Sequence, residues 1–176
     1  MIEKIIEISI TVAFTVAGTV VASWLAERGV RSRNRQLYGV WQSSWQPNPG
    51  DASWVDEIVD IQFNRRSLWF NLAKYRQRLC LINSQNTGGY LWKGYADVIH
   101  GRYIIGVWHS LKRASHSQGV FDFAIHPQGR YLYGYWLGPS DQDRTVAGAF
   151  VMGRTPDDIA AAKRHLWNCR IRVPHA

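Results

Sequence analysis

The sequence predicts an all-β fold: an eight-stranded up-and-down antiparallel barrel with an N-terminal transmembrane helix and a short C-terminal helix. Three observations predict it. After Gln36 the chain falls into eight alternating or apolar runs separated by turn residues, the pattern of sequentially paired strands. Within those runs a Gly recurs two positions before a large aromatic, at Gly39 and Trp41, Gly106 and Trp108, Gly134 and Trp136, and Gly148 and Phe150. A small barrel needs that small-and-large alternation on its inner face to fill a tapering interior. Before Gln36, the stretch from Ile5 to Leu25 is apolar apart from Glu7, and at about 1.5 Å per helical residue it reaches across a hydrocarbon core of about 30 Å.

Taken in order, residues 1–27 read as the transmembrane helix and residues 28–36, with Arg28, Arg31, Arg33 and Arg35, as a basic juxtamembrane linker. Basic residues beside a span stay cytoplasmic, so the expected topology is a single pass with the barrel in the cytoplasm. A cleaved signal peptide fits less well, because Glu3 and Glu7 stand where a signal carries positive charge. Within the span Glu7, Thr11, Thr15, Thr19 and Ser23 recur every four residues, a spacing that predicts a hydroxyl-lined seam between transmembrane helices and hence a homo-oligomer.

Residues 37–154 read as the barrel. Leu37 to Trp45 is the first strand, ended by the Pro47 to Gly50 loop. Trp54 to Phe63 alternates, with Val55, Val59, Ile61 and Phe63 on one face. Leu68, Phe70 and Leu72 open a third strand that bends through Leu79 and Leu81, and Asn83 to Gly89 is a loop. Tyr90 to Ile99 and Arg102 to Leu111 flank a tight turn at His100 and Gly101, and Lys112 to Gln118 is a polar loop. Gly119 to Ile125 and Arg130 to Leu137 flank a second turn at His126 to Gly129, and the loop Gly138 to Arg144 leads to the last strand. Residues 155–176 form the helix and tail. Thr155, Pro156, Asp157 and Asp158 are a cap, a first-turn proline and first-turn acids. Alternating strand directions place the four longer loops at one mouth of the barrel and the short turns at the other.

Composition narrows the chemistry. There is no phosphate-binding glycine loop, no nucleophile elbow and no histidine pair at metal spacing, so no catalytic residue, metal or cofactor is expected and the chain does not read as an enzyme. Cys80 and Cys169 are too few for a disulfide framework. Asp141 and Asp143 read as a polar turn. The net charge is +8. Trp45, Ser110, Lys112, Arg113, Trp136 and Arg144 converge on the long-loop mouth, with flat rings suited to stacking bases and cations suited to phosphate.

Several stretches resemble the small membrane-spanning β-barrel effectors of bacterial CBASS antiphage defence: Leu37 to Trp41, His100 to Leu111, Gly129 to Pro139, and Ala147 to Arg154 with its Ala-rich helix. The resemblance implies a lipocalin-like barrel that senses a cyclic di- or oligonucleotide made by a partner nucleotidyltransferase. It also implies ligand-driven oligomerisation and disruption of the inner membrane, with membrane lipid as a partner and no DNA or RNA polymer. Members of that family carry two transmembrane helices where this chain offers one span. Two other readings stay open: a membrane-anchored carrier of a small apolar ligand, and a structural barrel that binds nothing.

Overall fold

The computed structural model describes residues 2–47, 52–63, 79–86, 91–112, 117–139 and 144–168. The chain divides into two compact units, residues 1–35 and residues 36–176.

The first unit is one helix, α1 (Ile2–Arg33), so the basic segment expected as a linker is helical through Arg33. Among the described residues no helix is long and apolar enough to cross a membrane, where the sequence leads one to expect a transmembrane span; the side chains of Ile5 to Ile10, the start of that span, lie outside the described residues. Two hydroxyls of the expected seam bond within the helix. Thr15 Oγ1 donates to the Thr11 carbonyl at 2.8 Å and Thr19 Oγ1 to the Thr15 carbonyl at 2.8 Å, so both hydroxyl protons are spent on their own helix. The side chains of Glu7 and Ser23 lie outside the described residues.

The second unit is the expected barrel. Strands β1 (Gly39–Trp45), β2 (Val55–Phe63), β3 (Leu79–Asn86), β4 (Trp92–Ile99), β5 (Tyr103–Ser110), β6 (Gln118–Ile125), β7 (Tyr131–Pro139) and β8 (Thr145–Gly153) pair in sequence order and close β8 onto β1. Every pairing is antiparallel. The turn joining β4 to β5 has His100 at φ 51° and Gly101 at φ 67°, with Arg102 N donating to the Ile99 carbonyl at 3.0 Å. Two consecutive left-handed residues give the turn twist that matches a hairpin.

One strand departs from the sequence reading. β3 continues through Asn86, where a loop was expected from Asn83 onward, because Asn83 and Asn86 keep pairing with Val59 and Glu57 across a bulge at Ile58 and Val59. Ladder pairing with β2 overrides the poor strand preference of asparagine. The predicted earlier part of that strand, with Leu68, Phe70 and Leu72, lies outside the described residues.

Register explains the glycine pattern. Phe121, Trp136 and Gly148 are successive cross-strand partners, as are Phe123, Gly134 and Phe150, so each glycine lies beside large rings of its neighbours on the same inner face. A Cβ on Gly106 would stand 2.6 Å from the Phe121 ring, and one on Gly138 would stand 2.6 Å from the Trp108 ring. Trp41, Val59, Ile61, Leu79, Leu81, Ile104, Phe121, Phe123, Leu132, Phe150 and Met152 form a buried interior in which Phe121 and Phe123 stack at 4.8 Å.

One end of the barrel is plugged. A 3₁₀ turn at Arg35–Leu37 sets the Leu37 side chain into the interior, and its carbonyl accepts Trp41 Nε1 at 2.8 Å. Arg154, just past β8, lies 3.9 Å over the Trp41 ring. Its guanidinium donates to the carbonyls of Val40 at 2.6 Å, Gln36 at 3.0 Å and Tyr38 at 2.8 Å, tying the entry of β1 to the exit of β8. The outer wall of β7 and β8 is covered by helix α2 (Pro156–Asn168), which buries Ala162 and Leu166 against Tyr131, Ala149 and Val151. The predicted helix start is present. Thr155 Oγ1 accepts the Asp158 amide at 3.2 Å, and the Asp158 carboxylate pairs with Arg130 at 2.9 Å.

Candidate functional site

At the other end polar side chains enter the barrel interior. That mouth is built from the last residues of β1, β3, β5 and β7 and the first of β2, β4, β6 and β8. The alternation of β1 turns Ser43 and Trp45 inward, β2 turns Glu57 inward beside Ser43, and β3 and β4 contribute Asn83 and Trp92. Trp108 and Trp136 come from β5 and β7. Four tryptophans and one acid therefore meet at the end of an otherwise apolar barrel.

Glu57 is the centre of the group. Among the described residues the buried carboxylates are Glu57 and Asp158, and Glu57 alone of the two lies inside the barrel. Asn83 Nδ2 donates to its Oε2 at 2.6 Å and Trp92 Nε1 to its Oε1 at 3.0 Å, while Ser43 Oγ reaches the Glu57 main-chain carbonyl at 3.3 Å. Burial among these rings pushes the Glu57 carboxyl up to about 7, against the hydrogen bonds from Trp92, Ser43, Trp45 and Asn83, which favour its ionised form. The group is thus divided between acid and carboxylate at neutral pH.

The tryptophans form connected walls. Trp45 and Trp136 meet edge to face at 5.8 Å, and Trp136 meets Trp108 in the same way at 6.1 Å. Trp136 Nε1 donates to the Gln46 carbonyl at 3.0 Å and Trp108 Nε1 to the Leu137 carbonyl at 3.3 Å, so these rings are held in orientation. Trp92 is buried, whereas Trp45 and Trp136 keep part of their surface exposed.

The residues expected from the sequence divide accordingly. Trp45 and Trp136 are brought together inside the mouth, each with one ring edge or face committed to the other. Ser110 is half-buried on the rim, and its hydroxyl accepts the Lys112 main-chain amide at 3.2 Å. The Lys112 and Arg144 side chains are exposed, outside the interior. Arg113 lies outside the described residues. The charge inside the mouth is an acid, and Lys112 and Arg144 stand exposed at its rim, where an amphipathic cation keeps its head in water. Glu57, Asn83, Ser43 as a partner of Glu57, Trp92 and Trp108 were missed as site residues. The signal for Glu57 was present: the alternation that places Val55, Val59 and Ile61 inward places Glu57 with them. Among the described residues no group of three or more His, Cys, Asp or Glu side chains could hold a metal ion.

No protein-family model matches this chain, and a comparison with curated proteins finds no match. A solved structure described as EF1p2_mFAP2b bound to DFHBI superposes with a TM-score of 0.50 at 10% identity, covering 70% of this chain and 97% of that one. The likeness establishes the closed eight-stranded barrel as a shared fold.

Proposed function

We propose that the barrel is a receptor for a small ligand, and that this ligand is a cyclic di- or oligonucleotide seated at the tryptophan mouth. The observation that carries the reading is Glu57. A carboxyl ionising near neutrality inside an apolar barrel costs stability, and a barrel needing only to be filled is better served by an uncharged side chain. Perturbed acids set among apolar walls and convergent polar groups mark binding sites.

The nucleotide class is supported by the remaining features of the mouth. Partly exposed Trp45 and Trp136 offer ring surface for bases, and exposed Lys112 and Arg144 stand at the rim where phosphates would lie. The net charge of +8 attracts an anionic ligand to the protein. The solved barrel it resembles was obtained bound to DFHBI, which supports this architecture as one that holds a small ligand. Calorimetric titration of the full chain with a panel of cyclic di- and trinucleotides tests the proposal. Saturable binding of at least one is expected, and no heat from any of them refutes it.

A second reading concerns α1. Val12, Phe14, Val16, Val20, Val21, Trp24 and Leu25 are exposed along it, an apolar surface that favours self-association or lipid contact as the output of ligand binding, in keeping with an antiphage membrane effector. Light scattering and vesicle co-sedimentation with and without nucleotide decide it. A monomer that ignores vesicles in both conditions rules it out.

A further inference from the structure

The outer wall of β5 to β7 carries apolar side chains that the barrel interior does not use. Outward positions of an antiparallel strand that face water are ordinarily polar. Here Val107, Val120 and Leu137 follow one another across β5, β6 and β7 as cross-strand partners, and all three are exposed, with Ile105 and Tyr135 exposed beside them. On the next part of the wall Tyr131, Ala149 and Val151 are buried beneath α2. A contiguous exposed apolar patch with a polar border marks a contact surface. We propose that this wall docks a second copy of the chain, through a two-fold interface whose axis runs along the row Tyr95, Val107, Val120 and Leu137.

Register supplies the charge pattern that favours a copy. On one side of that row the outward positions read Asp97, Ile105, Asp122 and Tyr135 across β4 to β7, and on the other side they read Lys93, His109 and Gln118 across β4 to β6. One border therefore presents acids and the other presents donors. A half-turn about the row lays the acidic border of one copy over the donor border of the next. Asp97 then faces Lys93 of the second copy, Asp122 faces its Gln118, and its His109 covers Ile105 between the two acids. Val107 and Val120 meet their own counterparts on the axis. An isologous contact demands this self-complementarity, in which residue i meets j and j meets i. The donors are also gathered toward the axis: Lys93 Nζ stands 5.3 Å over the Tyr95 ring, and His109 stacks on the same ring at 6.2 Å.

A lipid surface is the chief competitor for an apolar wall. Asp97 and Asp122 flank Ile105 as its cross-strand partners, and an acid set against hydrocarbon or an anionic headgroup is unfavourable. A second copy brings donors to the acids and apolar side chains to Val107 and Val120 in a single contact, which a bilayer does not. Because a barrel wall is convex, the contact concentrates on β5 and β6. The interface therefore belongs at the small end of the range for specific complexes, and the dimer depends on concentration.

Sedimentation velocity of the full chain from about 1 to 200 μM reads the assembly. A dimer whose share grows with concentration is expected. Val120→Lys sets like charges against each other on the axis and is expected to weaken the dimer by at least about tenfold. Asp122→Lys, which turns a cation toward the donor border of the copy, is expected to weaken it as well. Combining Asp122→Lys with Gln118→Glu re-creates an opposed pair across the axis and should return the dissociation constant to within about threefold of native. Val120, Asp122 and Gln118 are all exposed, so near-ultraviolet circular dichroism of the variants should match the native chain. Should Val120→Lys fold poorly, the exchange at Asp122 and Gln118 decides alone. A native chain that stays monomeric throughout, an assembly indifferent to Val120→Lys, or a failure of Gln118→Glu to rescue Asp122→Lys overturns the proposal. Vesicle binding that Val120→Lys abolishes without any change in sedimentation gives the wall to lipid and overturns it too. The nucleotide titrations of the mouth stand or fall separately from all of these results.

Discussion

Replacing Glu57 by Gln should stabilise the protein at alkaline pH, an unusual direction for a substitution inside a barrel. In the unfolded chain a glutamate releases its proton near 4.5, while in the folded barrel Glu57 holds it until about 7. Between those values the folded state binds more protons than the unfolded state, so raising the pH through that window lowers stability, and above it the loss is complete. A displacement of about 2.5 units at 1.36 kcal/mol each amounts to about 3 kcal/mol. Gln keeps the volume and both partners. Its oxygen accepts Trp92 Nε1, and its amide donates to the Asn83 carbonyl once that side chain turns over. Urea unfolding at about pH 5, 6.5 and 8 reads the effect, with the two proteins nearly equal at the lowest pH. The variant should lead by up to about 3 kcal/mol at the highest, or roughly 10 °C in Tm for a domain of this size. The difference between the two proteins removes the contribution of every other titrating group. A variant that is less stable at about pH 8, or a stability gap independent of pH, would refute the reasoning.

Other outcomes follow from the packing. Arg154→Ala removes three charge-assisted bonds to carbonyls and the contact over Trp41, and should cost about 2–4 kcal/mol in urea unfolding. Gly138→Val drives a branched side chain into the Trp108 ring and should lower the yield of folded protein or its stability by about 2 kcal/mol or more, measured by near-ultraviolet circular dichroism and thermal melting. Thr155→Ala removes the hydroxyl that caps α2 and should cost about 1 kcal/mol with the barrel spectrum unchanged. The Asp158 carboxylate is raised by burial but lowered more by Thr155 and Arg130, so its contribution is present at neutral pH and lost as acid protonates it. Arg130→Ala should therefore destabilise α2 at neutral pH and much less in acid.

The barrel was legible because its periodicities are enforced by sterics. Gly106 and Gly138 leave no room for a side chain, and the rings that exclude one are spaced as the strand alternation demands, so pattern and packing coincide. The start of α2 was legible for a local reason, since a capping threonine, a proline and two acids act within one turn. Asn83 to Asn86 misled because asparagine usually marks a loop, whereas here cross-strand pairing with β2 holds the segment extended and gives Asn83 a carboxylate to bond. The cations of the rim stand out in the sequence, whereas Glu57 does so only through the strand alternation that places it inward. Its hydrogen bonds to Asn83 and Trp92 join residues 26 and 35 positions away in sequence, and no local pattern encodes them. The four-residue threonine spacing in α1 suggests contacts between helices, and within the single helix the Thr15 and Thr19 hydroxyls donate to the carbonyl one turn back.

The central claim, a nucleotide-binding mouth centred on Glu57, is tested most directly by following the tryptophan indole N–H resonances of the full chain during titration with cyclic di-GMP. The indole of Trp92, which donates to Glu57, and those of Trp45 and Trp136 at the same mouth should shift together and saturate. The indole of Trp41, bonded to Leu37 at the plugged end, should stay in place. Resonances of the mouth that remain unmoved at saturating concentrations of every cyclic nucleotide tried, or shifts confined to Trp41 or to Trp167 on α2, would contradict it.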